Sequence, residues 1–566
     1  MTPARRVFPD HPLIVGLLIF GVFLETFLPI GLKSPAFDEP AHIGAGLSYL
    51  KTGEFKDNPQ HPPLLKEIAA VPLWLIGVRW PLSPAQWARL DFRNQAYLQW
   101  QLGRAIIFDG DPDRIMFWSR LPFVGLTVLL GWLLYAWGRR LCGGVAGVGA
   151  LLLYACDPTI AAHGYLVTTD VGFAAFTVLF LFALWHWLND RTAGRLGLCG
   201  LALGGVLATK FSAVILLPIA ALLVLAAIRL IPEAVPRRLS SIVDPYASGG
   251  PATRLIWSLG ALAVMGAVAA VVVHALYFFP GDPLVYLKGL HRVNADHDPN
   301  YWPFMAGTFR PRFWSYYLLA YLLKEPLPSI LLLVAGLFAV LRRGSMATLD
   351  RLFLLLPPAA LFAAYTLFSH NLGFRYVIPA LPFLHLVGGA GLAWLIREGR
   401  AWRRLAAAGL AAWAVIGAAG IYPDGLSYFN ELACLTTRPS LIGLDGGTRC
   451  GTLWFDDSNV DWGQGLKQLR GWIDRHAAGR PLRLGYFGSL RPEDYGIQAT
   501  LVNVEDLARP PQPGLYALSA HVLARARGEL AERYGDGPAN WLSNTKPTAI
   551  VGHAYYIYDI PPAAGG

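Results

Sequence analysis

Charged residues are scarce: Asp, Glu, Lys and Arg make up 15% of 566 residues, against about 25% in average proteins. That shortage excludes a disordered chain, a coiled coil and a conventional soluble enzyme. Cysteine is sparse as well, five in all, which excludes a disulfide-built scaffold. No internal repeat, low-complexity tract or inverted pair of broken helices stands out, so the marks of a solenoid or a repeat-built transporter are missing. Apolar residues, by contrast, reach 54%, with 19 Trp, 23 Tyr and 29 Phe, and the mean hydropathy is +0.42. This is the profile of a polytopic membrane protein with interfacial aromatic belts and room for one modest soluble domain.

Apolar runs suited to ~30 Å of hydrocarbon fall at roughly 12–32, 115–138, 141–157, 171–188, 255–279, 352–369, 376–396 and 405–422. A shorter run at 327–341 fits a tilted or sheltered span. The stretch 196–231 is too long for one crossing and is interrupted by Lys210, which predicts two short spans, 196–209 and 211–231, and eleven in all. The arginines support that division. With a cytoplasmic N-terminus, Arg5/Arg6, Arg139/Arg140, Arg191/Arg195, Arg237/Arg238, Arg342/Arg343 and the group Arg397, Arg400, Arg403 and Arg404 all fall on one side, as the positive-inside rule requires. The net charge of +10 is then topological, and nucleic acid is not implied. The first run lacks a cleavage site and reads as an uncleaved anchor.

The opposite side receives a long first loop (33–114), a loop at 158–170, the Lys210 junction, a loop at 280–326 and a tail (423–566). Within the tail, a helical pattern near 463–477, strand-like runs at 482–488 and 514–519, a helix at 521–534 and a terminal strand at 554–560 predict a small α/β domain. The expected architecture is thus a helical membrane module, 1–422, and an extracytoplasmic α/β domain, 423–566, in a multi-pass protein of the inner (plasma) membrane. Cys434 and Cys450 are the two cysteines of the tail, and the sequence leaves open whether they pair.

Reactive residue types gather on that outer side. Asp38 and Glu39 follow the first span, where two adjacent carboxylates beside apolar surface suit a raised pKa and general-base work. A solvated helix N-terminus is the plainer reading of the same pair. Asn58-Pro59-Gln60-His61-Pro62-Pro63-Leu64-Leu65-Lys66 is a proline-locked polar cluster feeding an amphipathic helix. His163 and Asp170 sit in the second loop, Asp170 also being placed to cap a helix. Lys210 between two short spans is expensive unless it snorkels or pairs. Lys324-Glu325-Pro326 precedes one span and Arg375 another. Cations and a few carboxylates converging on one membrane face suit a lipid-anchored anionic phosphate and a neutral hydroxyl partner. The Asp456-Asp457…Asp461 cluster reads as a turn and helix cap ahead of residue 463 rather than a calcium site.

Taken in order, the Asp-Glu pair, the His-Pro-Pro-Leu segment, Ala-His…Thr-Thr-Asp, Ala-Thr-Lys-Phe-Ser-Ala (208–213), Lys-Glu-Pro-Leu-Pro (324–328) and Phe-Arg-Tyr-Val-Ile-Pro (374–379) resemble the GT-C membrane glycosyltransferases. The resemblance is to the bacterial relatives of protein O-mannosyltransferase and aminoarabinose transferase. It implies an inverting transfer of a hexose or pentose from a polyprenyl-phosphate-linked donor to a hydroxyl of a protein, glycan or glycolipid. It further implies Asp38 as general base and Glu39 as its positioning neighbour, with Asp170 near the donor. Lys210, Arg375 and, more weakly, Lys324 take the place of the cations near the lipid phosphate. Where the aminoarabinose enzymes have Glu-Lys before Pro-Pro-Leu, this chain has Gln60 and His61, so His61 stands at the substrate register and Lys66 is the nearest compensating cation. A phosphate is already a good leaving group, so no metal and no other cofactor is expected. The alternative class is a multi-span transporter or lipid flippase, for which Glu25 inside the first span would be the working residue.

Overall fold

The computed structural model describes residues 12–562 except 93, 94, 96, 231–249, 296–300, 398, 399 and 536–539. Arg5, Arg6, Arg237, Arg238 and His297 lie outside the described residues. Eight described helices are long and apolar enough to cross a membrane, from Pro12–Leu32 to Ala401–Ile421. A ninth candidate is the pair Tyr316–Lys324 and Leu327–Leu341, bent by 111°. Every predicted run is helical: the eight long helices, the bent pair and two shorter apolar helices account for the eleven expected spans. Gly144–Ala155 and Ala193–Leu207 would rise only about 18 and 22 Å. Short helices are tolerated here because neighbours shelter them. Gly144–Ala155 packs against Pro112–Cys142 and Leu381–Arg397 so closely that a Cβ on Gly389 would lie 2.4 Å from the Ala146 carbonyl oxygen.

Lys210 does break the 196–231 stretch. Helix Ala193–Leu207 ends, Lys210 is extended, and a 3-10 turn at Phe211–Ile215 leads into Leu216–Leu230. At the opposite ends of the helices the basic residues of different loops meet: Arg397 Nη2 donates to the Cys142 carbonyl, and Arg140 lies 2.8 Å from His186.

The first loop folds on itself. Helices Glu39–Thr52, Leu64–Leu75 and Leu98–Phe108 bury Ile43, Leu47, Ala69, Leu73, Leu102 and Ile106 in their own core. Gly103 lets the Pro40 segment dock, since a Cβ there would sit 1.7 Å from the Pro40 carbonyl oxygen. This close approach fixes the start of Glu39–Thr52, and with it Asp38.

The tail is α/β, with strands in the order Thr500–Leu501, Leu482–Gly485, Gly514–Ser519, Tyr555–Ile560, Ala549–Val551. The first three are parallel and the last two pairings antiparallel. Helices Leu466–His476 and Ala520–Tyr534 complete it, and Cys434 and Cys450 are joined by a disulfide. Its first half is fastened to the membrane module. Lys33 pairs with Asp424, Phe37 N donates to the Trp462 carbonyl at 2.8 Å, and Arg104 pairs with Asp494. Asn459 is the central joint: its Oδ1 accepts from Phe374 N at 2.8 Å and its Nδ2 donates to the Tyr316 hydroxyl at 2.9 Å.

Candidate active site

Asp38 precedes helix Glu39–Thr52 without capping it, so its carboxylate is free to face outward. Arg375 Nη1 donates to Asp38 Oδ2 at 3.1 Å and lies 3.9 Å from Asp170 Oδ2. Asp170, fully buried at the head of its helix, accepts from Lys210 Nζ through Oδ1 at 2.9 Å. Two cations and two carboxylates from four separate segments therefore alternate along one line, Asp38–Arg375–Asp170–Lys210. Arg375 Nε and Asp170 Oδ2 have no hydrogen-bond partner. The guanidinium lies over the Trp462 ring at 4.3 Å, and the Lys210 ammonium over Tyr376 at 4.6 Å.

Asp38 and Arg375 line a cavity of about 300 Å³ together with Tyr301, His370, Asp457, Trp462 and Phe487. Three of those residues come from the tail, which closes one wall of the site. Asp457 stands at φ +54°, in the left-handed region that non-glycine residues seldom occupy. It is held there by its N–H to His521 Nδ1, by the Tyr301 hydroxyl on Oδ2 and by Ser458 N on Oδ1. The loop carrying Arg375 is pinned beside it: Gly373 has φ +114°, and a Cβ there would lie 2.2 Å from Ser458 Oγ. Burial raises the Asp38 pKa above the ordinary 3.8, Asp170 and Asp457 add to the rise, and Arg375 opposes it.

The other sequence candidates have different employment. Glu39 is fully buried. It accepts from Arg120 Nε at 2.9 Å and Nη2 at 2.6 Å, and from the backbone N–H of Ala36 and Val167. It braces the segment behind Asp38 and is absent from the cavity lining. Lys66, also buried, donates to the Tyr49 hydroxyl and to the carbonyls of Asn58 and His61, so it shapes the loop that presents His61; burial brings its pKa down to about 7. Lys324 donates to the carbonyls of Leu426, Tyr428 and Asn459 at 3.0, 3.0 and 2.6 Å. All three partners belong to the tail, so its protons are committed to docking it.

His61 lies against His42, ring centroids 5.2 Å apart. It lines a second cavity, of about 130 Å³, with Tyr49, Phe55, Tyr277, Lys288 and Arg292. Burial, then the adjacent His42 ring and the cations Lys210, Lys66 and Arg375, hold His61 well below its usual pKa. His163, buried 5.8 Å from the Trp462 ring, is brought down by burial to about 4. Both imidazoles are therefore neutral hydrogen-bonding groups at pH 7. Lys288 and Arg292, on helix Val285–Ala295, were not singled out from sequence, although the helix is amphipathic and basic.

The Asp456–Asp461 cluster forms the expected turn, Gly463 N donating to Asp461 Oδ1 and Ser458 N to Asp457 Oδ1, but it does not cap the following helix: Leu466–His476 has Gly465 at its N-cap with no side-chain bond. Asp456 instead pairs with Arg525 at 2.7 Å, leaving Asp457 to the cavity. An Asp-x-Asp string, Asp109-Gly110-Asp111, lines a separate cavity of about 340 Å³ with Arg79 and Arg114, and Asp111 caps helix Pro112–Cys142. Among the described residues, one set of three metal-ligating side chains within mutual reach, Asp157, Glu325 and His385, lies outside both site cavities.

Residues 110–240 match the family model described as dolichyl-phosphate-mannose-protein mannosyltransferase. The matched segment contains His163, Asp170 and Lys210. No curated protein matches the chain. Among solved structures, ArnT from Cupriavidus metallidurans in the apo state is 13% identical, with 96% of this chain and 97% of that chain covered and a TM-score of 0.48. The same protein bound to undecaprenyl phosphate is 13% identical over the same shares, with a TM-score of 0.41. The oligosaccharyltransferase AglB from Archaeoglobus fulgidus, in complex with an inhibitory peptide and a dolichol-phosphate, is 12% identical, with 84% of this chain and 59% of that chain covered and a TM-score of 0.44.

Proposed function

We propose that this chain is a membrane glycosyltransferase that moves a sugar from a polyprenyl-phosphate-linked donor to an acceptor hydroxyl of a protein, glycan or glycolipid, with inversion. The site faces outside the plasma membrane, the arginine-rich helix ends and the N-terminus lying in the cytoplasm. The observation that carries the reading is the Asp38–Arg375 pair at 3.1 Å inside a cavity, backed by Asp170 and Lys210.

Asp38 accepts the proton of the acceptor hydroxyl as that oxygen attacks the anomeric carbon. The bond from that carbon to the phosphate oxygen breaks on the opposite face, and the phosphate leaves with the electron pair. Arg375 and Lys210 meet the charge that develops on it. In the resting chain Arg375 is bound to Asp38, so an arriving phosphate competes for the guanidinium and releases the carboxylate as a base. Arg375 Nε is a spare donor for a phosphate oxygen, and such charge-assisted bonds are the strong ones. The aromatic and basic cavity at Tyr277, Lys288 and Arg292 is a suitable approach for the lipid phosphate. The acceptor enters between Asp38 and the tail residues Asp457 and Phe487.

The transporter alternative would use Glu25, but the cavity at that residue is about 20 Å³, the room of a single water. The test uses vesicles containing the full-length protein and a polyprenyl-phosphate donor labelled in its sugar. Label should appear on an envelope glycan, protein or glycolipid only when the protein is present. Label that stays on the donor polyprenyl phosphate, or crosses the membrane still attached to it, contradicts the reading.

A further inference from the structure

The Lys324-Glu325-Pro326 elbow sends its lysine to the tail and its glutamate into the bundle. There Glu325 meets Asp157, the N-cap of the short helix Pro158–His163, and His385 of helix Leu381–Arg397. One ligand atom from each lies within 4.8 Å of the other two. His385 Nε2 is 3.3 Å from Asp157 Oδ2 and 4.0 Å from Glu325 Oε2. None of the three residues is more than 2% exposed. Even so, the Asp157 and Glu325 carboxyl groups meet each other, and Asp157 Oδ2, Glu325 Oε1 and both ring nitrogens of His385 make no well-formed hydrogen bond. The other Asp157 oxygen is occupied by the N–H groups of Thr159 and Ile160. Glu25 Oε1 is orphaned too, and Glu25 and Asp157 share the cavity of about 20 Å³.

Buried polar atoms are nearly always satisfied, and an uncompensated buried charge costs several kcal/mol. Here unsatisfied atoms from three helical segments converge on one point. We propose that Asp157, Glu325 and His385 bind a divalent cation of the zinc type. Tetrahedral donors about 2.0–2.2 Å from zinc lie roughly 3.3–3.6 Å apart; the His385–Asp157 separation of 3.3 Å matches, and Glu325 Oε2, 4.0 Å from His385 Nε2, must close in by a few tenths of an ångström. One imidazole with two carboxylates suits zinc better than magnesium or calcium, which take six or more oxygens. The ion would staple the Cys156–Pro158 junction, the 111° elbow and helix Leu381–Arg397 beneath the point where Lys324 holds the tail. Its role is structural, and it does not depend on the proposed transfer reaction.

Full-length protein in detergent, stripped with EDTA and then dialysed against Zn²⁺ or Co²⁺, tests the site. One zinc per chain should be retained, Co²⁺ should give a tetrahedral visible spectrum, and His385→Gln should weaken zinc binding at least about tenfold. Zinc K-edge absorption of the wild-type protein, which needs no variant, should show one imidazole, oxygen donors and no sulfur. Wild-type protein that retains no zinc, retention equal to that of folded His385→Gln, or a ligand set with sulfur or a second imidazole overturns the proposal.

Discussion

Replacing Lys324 by Met separates two jobs for this residue, contact with a lipid phosphate and attachment of the tail. Lys324 is 3% exposed, and its ammonium donates to the carbonyls of Leu426, Tyr428 and Asn459 at 3.0, 3.0 and 2.6 Å. Hydrogen bonds to a charged group contribute about 1.5–3 kcal/mol each, and three of them about 4.5–9 kcal/mol before other terms. Desolvating the ammonium costs several kcal/mol in the wild type, which leaves a net loss of about 3–5 kcal/mol in Lys324→Met. At about 1.4 kcal/mol per factor of ten, the equilibrium for lifting the tail rises roughly a hundred- to a few-thousandfold. Proteolysis follows the population of the open form when closing is fast. Tail cleavage in detergent-solubilised protein should therefore accelerate by at least about a hundredfold. Cleavage at the wild-type rate, combined with weaker use of the donor, would refute the docking role and return Lys324 to the phosphate.

Four further outcomes follow from the same geometry. Asp38 works as a base only when ionised, and its pKa is raised, so the rate should fall as pH drops through a midpoint above 3.8. Because Asp457 contributes to that rise, Asp457→Asn should shift the acid limb to lower pH, and a limb that does not move counts against the shared cavity. Arg375→Ala should raise the KM for donor more than for acceptor, since only the donor carries a phosphate; equal effects would make the residue structural. Arg120→Met leaves the fully buried Glu39 uncompensated and should destabilise the protein by about 3–5 kcal/mol, seen as a lower thermal midpoint than that of the wild type.

What was legible in the sequence was mostly local. A lysine inside an apolar stretch marked the break at 208–210, and alternating periodicities marked helices Leu466–His476 and Ala520–Tyr534 and strands Leu482–Gly485, Gly514–Ser519 and Tyr555–Ile560. The two-residue strand Thr500–Leu501 and the edge strand Ala549–Val551 carry too few residues to show a period. The line Asp38–Arg375–Asp170–Lys210 was legible as a set through the family resemblance and the sidedness of the spans; a place beside a span end alone does not separate these four from Lys324 or His163. Partners supplied from a distance were not. Lys324 and Asn459 are 135 positions apart, and Glu39 and Arg120 are 81 apart, so nothing local distinguishes a cation that binds substrate from one that binds backbone. Asp457 forms the local turn its spacing suits, but the partners that hold it at the cavity, Tyr301 and His521, are distant in sequence.

The most direct measurement of the central claim is sugar transfer by Asp38→Asn in vesicles with a labelled polyprenyl-phosphate donor. The amide keeps the shape of the side chain and an oxygen for Arg375, but it takes no proton. If Asp38 is the base, the variant should bind donor and transfer at least about a hundredfold more slowly. Transfer at the wild-type rate by the folded variant would contradict the account.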